Sequence, residues 1–337
     1  MKKPQMMTSK DDYDSTKCEE FISNIFSNYM KIQEKNNNVM VTGGSGFLGT
    51  RLRLQQPAWI YVSSNECDLM NISQVEQLFG DLKPSAIIHL AGRVGGIKDN
   101  SENQVDFFEQ NILINLNVIK SAYDLGITRL LASLSTCAFP DVVAEYPFKE
   151  KDLLEGPPAE TNFAYGFTKR MLHALILSYR KQYSVNYSTF SPSNIYGPND
   201  HFDTDRSHFI AALISKVAKL QSDDTLELWG SGRPRRQQLY VDDLCEIIPT
   251  LLDKHNSDMP LIVAPDENLS IDEMARMLLS QTGKENAIVY NNKLDGQFRK
   301  DGSNHKLKEL IGDFKFTKFK EGIMKTYDWY LEIEKGK

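Results

Sequence analysis

A tyrosine and a lysine four positions apart, Tyr165 and Lys169, are the residues of this 337-residue chain whose spacing most clearly suggests chemistry. On a helix, residues at this spacing share one face, so the lysine ammonium can lie beside the phenol. A neighbouring positive charge favours the phenolate and lets the tyrosine give or take a proton near neutral pH. We therefore expect an acid–base pair on a helix that begins near Tyr165.

A glycine-rich run lies upstream of this pair, between the apolar stretch at 38–42 and a predicted helix. Its members are Gly43, Gly44, Ser45, Gly46, Phe47, Leu48 and Gly49. Strand, glycine turn and helix, in that order, form the setting in which a dinucleotide pyrophosphate binds at a helix N-terminus. Together, the run and the Tyr/Lys pair predict a nicotinamide-dependent oxidoreductase.

Composition excludes several other classes of protein. The net charge of −6 argues against a nucleic-acid-binding surface, where a basic patch is expected. No apolar run approaches membrane-spanning length, and the N-terminus lacks the apolar core of a signal peptide. The four cysteines lack metal-ligand spacing, which favours reduced thiols and no metal site. We expect a soluble cytoplasmic protein.

The positions of the predicted elements indicate the fold class. Residues 1–37 form a polar extension in which Phe21–Met30 has the periodicity of a short amphipathic helix. The predicted strands that follow are Val39–Thr42, Trp59–Ser63, Ala86–Leu90, Arg129–Ser135 and Tyr187–Pro192. The predicted helices between them are Phe47–Gln55, Ile72–Phe79, Phe107–Leu125 and Tyr165–Gln182. This alternation predicts an α/β fold with a doubly wound, parallel, Rossmann-type sheet.

Two domains follow from the change in regularity after Pro198. Residues 38–198 are predicted to form the dinucleotide-binding domain, with later segments returning to it. Residues 199–337 are predicted to form mainly a smaller C-terminal α/β lobe, built from Ile210–Leu220 and from about Leu226 onward. We expect this lobe to bind the substrate over the carboxyl edge of the sheet.

The end of the second strand bears on the choice of cofactor. NAD-binding folds usually place an acid there, and this chain has no carboxylate before Glu66. Ser63 and Ser64 leave room for a 2′-phosphate, and Arg51 or Arg53 could supply positive charge. The sequence therefore predicts NADPH rather than NADH.

Two further positions are candidates for contact with the cofactor. Asp68 is placed to accept a hydrogen bond from the adenine amine. The next strand ends in the small residues of Leu90, Ala91 and Gly92, where the backbone can approach a ligand closely.

With Ser135 at the end of another strand, the pattern resembles the extended short-chain dehydrogenase/reductase superfamily. Finer motifs resemble one branch, the GDP-L-fucose synthases, over about residues 38–330. These motifs lie at 93–97, 135–140, 156–158, 163–171, 194–198, 229–236 and 294–300.

The resemblance implies a role for each matching residue. Tyr165 would protonate the C4 oxygen of a keto sugar as hydride arrives from NADPH. Lys169 would lower the pKa of Tyr165 and bind the nicotinamide ribose, and Ser135 would orient the keto group. Cys137 and His208 would be the base and acid that invert C3 and C5. Further implied cofactor contacts are Ser193, Asn194, Ile195 and His208, and implied GDP-sugar contacts are Lys216, Trp229, Arg236 and Asp295.

The family also implies a homodimer formed by the helices 107–125 and 165–182. Apolar positions such as Ile112, Ile119, Leu172 and Ile176 could serve that interface or the core.

Two other functions stay open at this point. One is an epimerase or 4-reductase for another nucleotide sugar, such as a UDP-linked one, which would not require Cys137 with His208. The other is a non-catalytic member of the superfamily that serves as a cofactor-sensing or scaffolding protein. The intact Ser135, Tyr165 and Lys169 argue against it.

Overall fold

The computed structural model of the chain describes residues 38–202, 207–291 and 295–336. The predicted N-terminal helix lies outside the described residues. The helices are α1 (Phe47–Gln55), α2 (Ile72–Leu82), α3 (Ile97–Glu102), α4 (Gln104–Asp124), α5 (Phe163–Tyr183), α6 (Phe209–Lys219), α7 (Val241–Lys254), α8 (Ile271–Gln281), α9 (His305–Ile311) and α10 (Phe319–Lys335). Short 3₁₀ turns are Thr136–Ala138, Glu150–Leu154 and Glu160–Asn162.

The strands are β1 (Val39–Thr42), β2 (Ile60–Val62), β3 (Ala86–His89), β4 (Arg129–Ser133), β5 (Asn186–Pro192), β6 (Asn194–Tyr196), β7 (Leu226–Leu228), β8 (Arg235–Arg236), β9 (Gln238–Tyr240), β10 (Leu261–Val263), β11 (Leu269–Ser270), β12 (Ile288–Tyr290) and β13 (Arg299–Lys300). The five predicted strands of the nucleotide-binding half are all present, so that part of the prediction is confirmed.

Six of these strands form one parallel sheet in the order β10–β5–β4–β3–β1–β2. The predicted doubly wound parallel sheet is therefore confirmed. Strand order reverses at β1, which lies between β2 and β3. In open α/β sheets, ligands bind at the carboxyl ends of the strands beside such a reversal.

The sheet is covered on both faces, which explains why its strands are continuously apolar. On one face, Met40, Ile87 and Leu130 pack in a core with residues of α2, α4 and α5. On the other face, the next residue of each strand, Val41, Ile88 and Leu131, packs with residues of α1, α7 and α9. Helices on both sides of the sheet hold the strand ends, and the loops that follow them, in fixed positions.

A second lobe packs over the carboxyl edge of the sheet. Its core brings together residues of α6, α8 and α10 with β7, and it contains Tyr196, Ile214, Met274 and Ile323. Two small sheets, β12–β7 and β11–β8–β13, complete it. The segment 241–263 lies elsewhere, because α7 and β10 return to the large sheet.

None of the helices in the described ranges combines the length and the apolar character that crossing a membrane would require.

Candidate active site

Helix α5 carries Tyr165 and Lys169, and it packs closely against the turn that carries Cys137. Gly166 permits this approach, because a Cβ there would lie 2.7 Å from the Cys137 carbonyl oxygen. One turn later, Arg170 Nε donates a hydrogen bond to the Ala138 carbonyl at 2.5 Å. The structure thus brings Tyr165 to the same crevice as Ser135 and Cys137.

Tyr165 is buried, with its ring edge-on to Phe107 at 6.5 Å between ring centroids. Burial raises the pKa of its phenol, and a negative charge on Cys137 adds to that effect. A hydrogen bond with the Ser135 side chain opposes the shift only in part. The phenol is therefore protonated at neutral pH, as a proton donor must be.

Lys169 is also buried, and its Nζ donates a hydrogen bond to the Ser133 carbonyl at 2.8 Å. Burial lowers the pKa of its ammonium to about 8. The ammonium lies 5.7 Å from the centre of the Tyr165 ring. Burial, Cys137 and Ser135 are the groups that shift the pKa of Tyr165 here, so the effect expected of Lys169 stays a prediction.

Cys137 lies one residue inside the short turn that follows Ser135. Its backbone N–H donates to Ser135 Oγ at 3.1 Å, and Lys300 Nζ donates to its sulfur at 2.8 Å. Burial alone would raise the pKa of the thiol, but the charge and hydrogen bond of Lys300 lead the effects that lower it. The Ser135 hydrogen bond and His208 contribute in the same direction. The net shift is downward, toward the reactive thiolate.

His208 immediately precedes α6 and faces a carboxylate. Its Nδ1 lies 3.5 Å from Asp200 Oδ1, and the Asp200 side chain is only 2% exposed. Partial burial acts to lower the pKa of His208, but Asp200, with a further contribution from Cys137, raises it above its usual value. Cys137 and His208 therefore influence each other's charge within one site.

The glycine run forms a cradle at the carboxyl end of β1. Gly43 has a φ of +74°, and a Cβ there would lie 2.9 Å from the Ala91 backbone nitrogen. A Cβ on Gly49 would lie 2.2 Å from the Gly43 carbonyl oxygen. Helix α1 begins after Gly46 with no side-chain cap, so its first N–H groups are available to an anion. These residues fit a dinucleotide pyrophosphate.

The end of β2 differs from the expectation. The Glu66 carboxylate folds back onto Ser63, accepting from its backbone N–H at 2.7 Å and its hydroxyl at 2.8 Å. These hydrogen bonds lower the pKa of Glu66, so a charged acid does stand at the strand end. The premise that this strand end lacks a carboxylate is wrong, because a glutamate three residues further on is long enough to reach back.

The two arginines proposed to supply charge near that strand end have different surroundings. Arg51 forms a two-point ion pair with Asp242, at 2.8 and 2.7 Å, and is therefore already neutralised. Arg53 is exposed, with its guanidinium 4.9 Å from the centre of the Tyr61 ring, and its charge reaches Glu66. Arg53 is the better placed of the two to meet a 2′-phosphate.

The other expected cofactor residues surround the same edge of the sheet. Ser64 and Asp68 are exposed, and Asp68 accepts a hydrogen bond from the Met70 backbone N–H at 3.0 Å. Leu90, Ala91 and Gly92 continue from β3 directly beside the glycine cradle. Ser193 is buried between β5 and β6, and Asn194 and Ile195 belong to β6.

The expected substrate residues lie on the second lobe in two groups. Lys216 donates to the Glu227 carbonyl at 2.9 Å, on the strand that leads to the 58%-exposed Trp229. Asp295 accepts from the backbone and hydroxyl of Ser231, at 2.6 and 2.8 Å, and so holds the turn after Trp229. Arg236 donates to the Gln297 carbonyl at 2.5 Å, two residues after Asp295.

Four residues at this site carried no role in the sequence prediction. Lys300 and Asp200 contact the two residues expected to epimerise, and Glu66 occupies the end of β2. Asn111, buried on α4, receives the Arg93 N–H and donates to the Arg93 and Phe107 carbonyls, which fixes the loop after β3. Its only sequence signal is the repetition of asparagine at 111 and 115 within an otherwise apolar helical face.

The chain matches the NAD dependent epimerase/dehydratase family over residues 39–263. The GDP-L-fucose synthase of Dictyostelium discoideum is 33% identical over 305 residues, which cover 87% of this chain and 95% of that protein. A probable GDP-L-fucose synthase of Drosophila melanogaster is 34% identical, over 87% of this chain and 97% of that protein.

Among solved structures, a GDP-L-fucose synthetase from Naegleria fowleri bound to NADP superimposes with a TM-score of 0.81. It is 32% identical and covers 88% of this chain and 93% of its own. A UDP-glucose 4-epimerase from Thermotoga maritima, at 17% identity and a TM-score of 0.78, shares the fold alone.

Proposed function

Since the chain belongs to the NAD dependent epimerase/dehydratase family and, within it, to the GDP-L-fucose synthases, we propose that it converts GDP-4-keto-6-deoxy-D-mannose to GDP-L-fucose with NADPH. One observation carries this proposal. The thiol of Cys137, with Lys300 Nζ 2.8 Å from its sulfur, lies in the crevice that also contains Ser135 and Tyr165. A simple ketoreductase needs the tyrosine but has no use for an activated thiol.

Reduction is assigned to Tyr165, Lys169 and Ser135. NADPH, when bound, supplies hydride to C4 of the sugar. Tyr165 delivers the proton to the C4 oxygen, and its raised pKa keeps that proton in place until negative charge develops on the oxygen. Ser135 orients the keto group. Lys169 binds the nicotinamide ribose, and its contact with the Ser133 carbonyl fixes it close to β4.

Epimerisation is assigned to Cys137 and His208. A 4-keto group acidifies the protons at C3 and C5, so a base can remove each proton and leave an enolate. Cys137 acts as the base, and its lowered thiol pKa increases the thiolate fraction near neutral pH. His208 acts as the acid on the opposite face, and its raised pKa keeps it protonated to higher pH.

The substrate nucleotide is assigned to the second lobe. Lys216 and Arg236 provide positive charge for the diphosphate, Trp229 presents an exposed aromatic face, and Asp295 supports the turn that carries it. Residues 38–198, with α7 and β10, would bind NADPH, and the remaining residues after 199 would cover the sugar.

We also propose a cytoplasmic homodimer. The outer faces of α4 and α5 expose Leu113, Leu116 and Met171, each more than 40% accessible. Of the four positions first considered, Ile119, Leu172 and Ile176 lie in the core, and Ile112 is partly exposed. The exposed stripe formed by Leu113, Leu116 and Met171 is therefore the better candidate for pairing two copies of the chain.

The proposed function is tested by incubating the purified protein with NADPH and a panel of GDP- and UDP-linked 4-keto-6-deoxy sugars. Loss of nicotinamide absorbance should be fastest with the GDP-linked mannose derivative, and the product should be GDP-L-fucose. Turnover confined to UDP-linked sugars, or an unepimerised product, would refute the proposal.

Two variants separate the chemistries within the crevice. Tyr165→Phe should abolish reduction yet still allow solvent deuterium to enter C3 and C5. Cys137→Ser should abolish that exchange, while residual reduction yields the unepimerised 6-deoxy sugar. Each loss should be roughly a hundred- to ten-thousandfold. Tyr183→Phe, at the exposed end of the same helix α5, is the matched control and should change neither activity.

A further inference from the structure

Lys300 is a buried cation, and acids close to it in sequence already bind other groups. It is 8% exposed and lies on β13, and in the parts of the chain that the structure describes it forms no ion pair with a carboxylate. Two acids close to it in sequence have other partners, because Asp301 binds the Arg299 guanidinium at 2.6 and 2.9 Å and Asp295 binds Ser231. A buried charge requires a counter-charge or strong hydrogen bonds. The sulfur of Cys137, 2.8 Å away, is the group placed to provide it.

The strand that carries Lys300 is held by the segment 235–237. Lys300 lies opposite Arg236 in the pairing of β13 with β8. Two residues later, Gly302 exchanges hydrogen bonds with the buried Gln237 amide, at 2.9 and 3.2 Å. The backbone that carries Lys300 is therefore held by its neighbours, and from that position the side chain reaches the Cys137 sulfur.

Asp200 is the opposite case, a buried anion. Its side chain is 2% exposed, and its Oδ1 accepts the His201 backbone N–H at 2.8 Å and faces His208 Nδ1. Its Oδ2 is buried and has no hydrogen-bond partner among the described residues. An imidazolium at His208 satisfies this carboxylate better than a neutral imidazole does, because a positively charged ring at Nδ1 is attracted to the carboxylate more strongly.

We propose that Lys300 and Asp200 are positioning residues that fix the direction of proton transfer, Lys300 by holding Cys137 as the base and Asp200 by holding His208 as the acid. The inference rests on the proposed function and extends it to two residues that do not touch the reacting carbons. In each inversion, a C–H bond of the sugar breaks as an S–H bond forms at Cys137. An N–H bond of His208 then breaks as the new C–H bond forms, and exchange with solvent restores both groups.

The groups that face this pair from neighbouring elements are few. Ser135, Tyr165, Arg236 and Lys300 act on Cys137, and Asp200, Lys300 and Cys137 act on His208. Lys300 repels His208 as it attracts the thiolate, so Asp200 must offset this repulsion. Removing Lys300 should therefore shift the titration of Cys137 strongly and that of His208 weakly, and removing Asp200 should do the reverse.

The first test titrates the thiol without substrate. Carbamidomethylation of Cys137 by iodoacetamide is followed by peptide mass spectrometry from pH 5 to 10. In the wild type, the midpoint should lie below 9. Lys300→Met should raise it by at least about one pH unit, which slows alkylation at pH 7 by roughly tenfold. Lys300→Arg should restore most of the rate, and Lys320→Met, at an exposed position on α10, is the control.

The second test titrates His208 by NMR of histidine-labelled protein, with His208→Gln to assign the signal. The wild-type midpoint should lie above 6.5, and Asp200→Asn should lower it. Deuterium exchange into the 4-keto sugar should then fall at least tenfold in both Lys300→Met and Asp200→Asn, with NADPH binding unchanged. The lower limit of the pH range for exchange should rise in Lys300→Met, and the upper limit should fall in Asp200→Asn.

The outcomes separate the inference from the function on which it rests. A wild-type thiol midpoint at or above 9, or a His208 midpoint at or below 6.5, overturns the inference even if a variant fails to fold. Unchanged midpoints in folded Lys300→Met and Asp200→Asn overturn it as well. If both midpoints shift as expected but no GDP-linked 4-keto sugar is converted, the positioning roles stand and the proposed function fails.

Discussion

Replacing Gly49 with alanine tests whether the glycine run is shaped for a cofactor. Gly49 lies inside α1, where alanine would ordinarily gain about 1 kcal/mol of helix stability. Here the added Cβ would lie 2.2 Å from the Gly43 carbonyl oxygen and 2.8 Å from the Gly44 Cα. Both atoms are backbone, so the turn must open by about 1 Å to reach an ordinary contact. Overpacking of this kind costs about 1–3 kcal/mol, which exceeds the propensity gain.

The expected result is a modest loss of stability and a larger loss of cofactor binding. Opening the turn misaligns N–H groups that would donate to the pyrophosphate, and each charge-assisted hydrogen bond contributes about 1.5–3 kcal/mol. The dissociation constant for NADPH should therefore rise at least tenfold, measured by calorimetric titration, while urea unfolding shifts only slightly.

Gly80→Ala is the matched control. It makes the same substitution inside helix α2, where an added Cβ meets nothing within 4 Å. This variant should gain about 0.5–1 kcal/mol in unfolding free energy and bind NADPH like the wild type. If Gly49→Ala also binds NADPH like the wild type, the cradle is not the pyrophosphate site and the reasoning fails.

Three further predictions follow from other parts of the structure. Glu66→Gln should tighten NADPH binding about three- to tenfold without changing NADH binding, because it removes a negative charge near the 2′-phosphate. Ser64→Asp should shift the preference toward NADH. Equal effects of either substitution on both cofactors would contradict this. Leu116→Glu should convert a dimer to a monomer by light scattering at micromolar concentration, whereas an unchanged mass would reject the exposed stripe as the interface. His89, His173 and His255 are buried and neutral with pKa values of about 4, so the unfolded chain binds more protons between pH 6.5 and 4. Stability should be fully present above pH 6.5 and fall on acidification by up to about 4 kcal/mol per pH unit, and identical urea midpoints at pH 7 and pH 5 would rule this out.

The elements that could be predicted from sequence are those that are completely buried and that end at turn-forming residues. Strands β1 and β3 are fully buried and mostly apolar, and β1 is followed directly by Gly43. Their predicted bounds differ from the observed ones by at most one residue. Strand β10 was missed, since it has only three residues, Leu261–Val263, and lies in a stretch without helical or strand periodicity. It becomes a strand because β5 offers an unpaired edge, which is tertiary information.

The residues of the site also fall into two sets, those that local sequence predicts and those that only long-range pairing brings together. The proximity of Tyr165, Lys169 and Ser135 could be predicted because local position places them at a strand end or on one helix face. Cys137 was a candidate only through the family resemblance. Lys300 could not be predicted, because it is 163 residues from Cys137 and only the pairing of β13 with β8 brings it to the sulfur. The sequence therefore predicts which groups are candidates for catalysis, whereas the charges around those groups depend on contacts distant in sequence.

Those charges bear on the reaction that we propose for each group. Judged by spacing alone, Lys169 is the cation that acts on Tyr165, yet in the folded chain it donates to the Ser133 carbonyl and burial raises the pKa of the phenol. Among the described residues, Lys300 is instead within hydrogen-bond distance of the Cys137 thiol. The crevice thus keeps one group, Tyr165, protonated and favours ionisation of its neighbour, Cys137. A single pocket can in this way hold a proton donor for the C4 oxygen and a base for the adjacent carbons at the same pH.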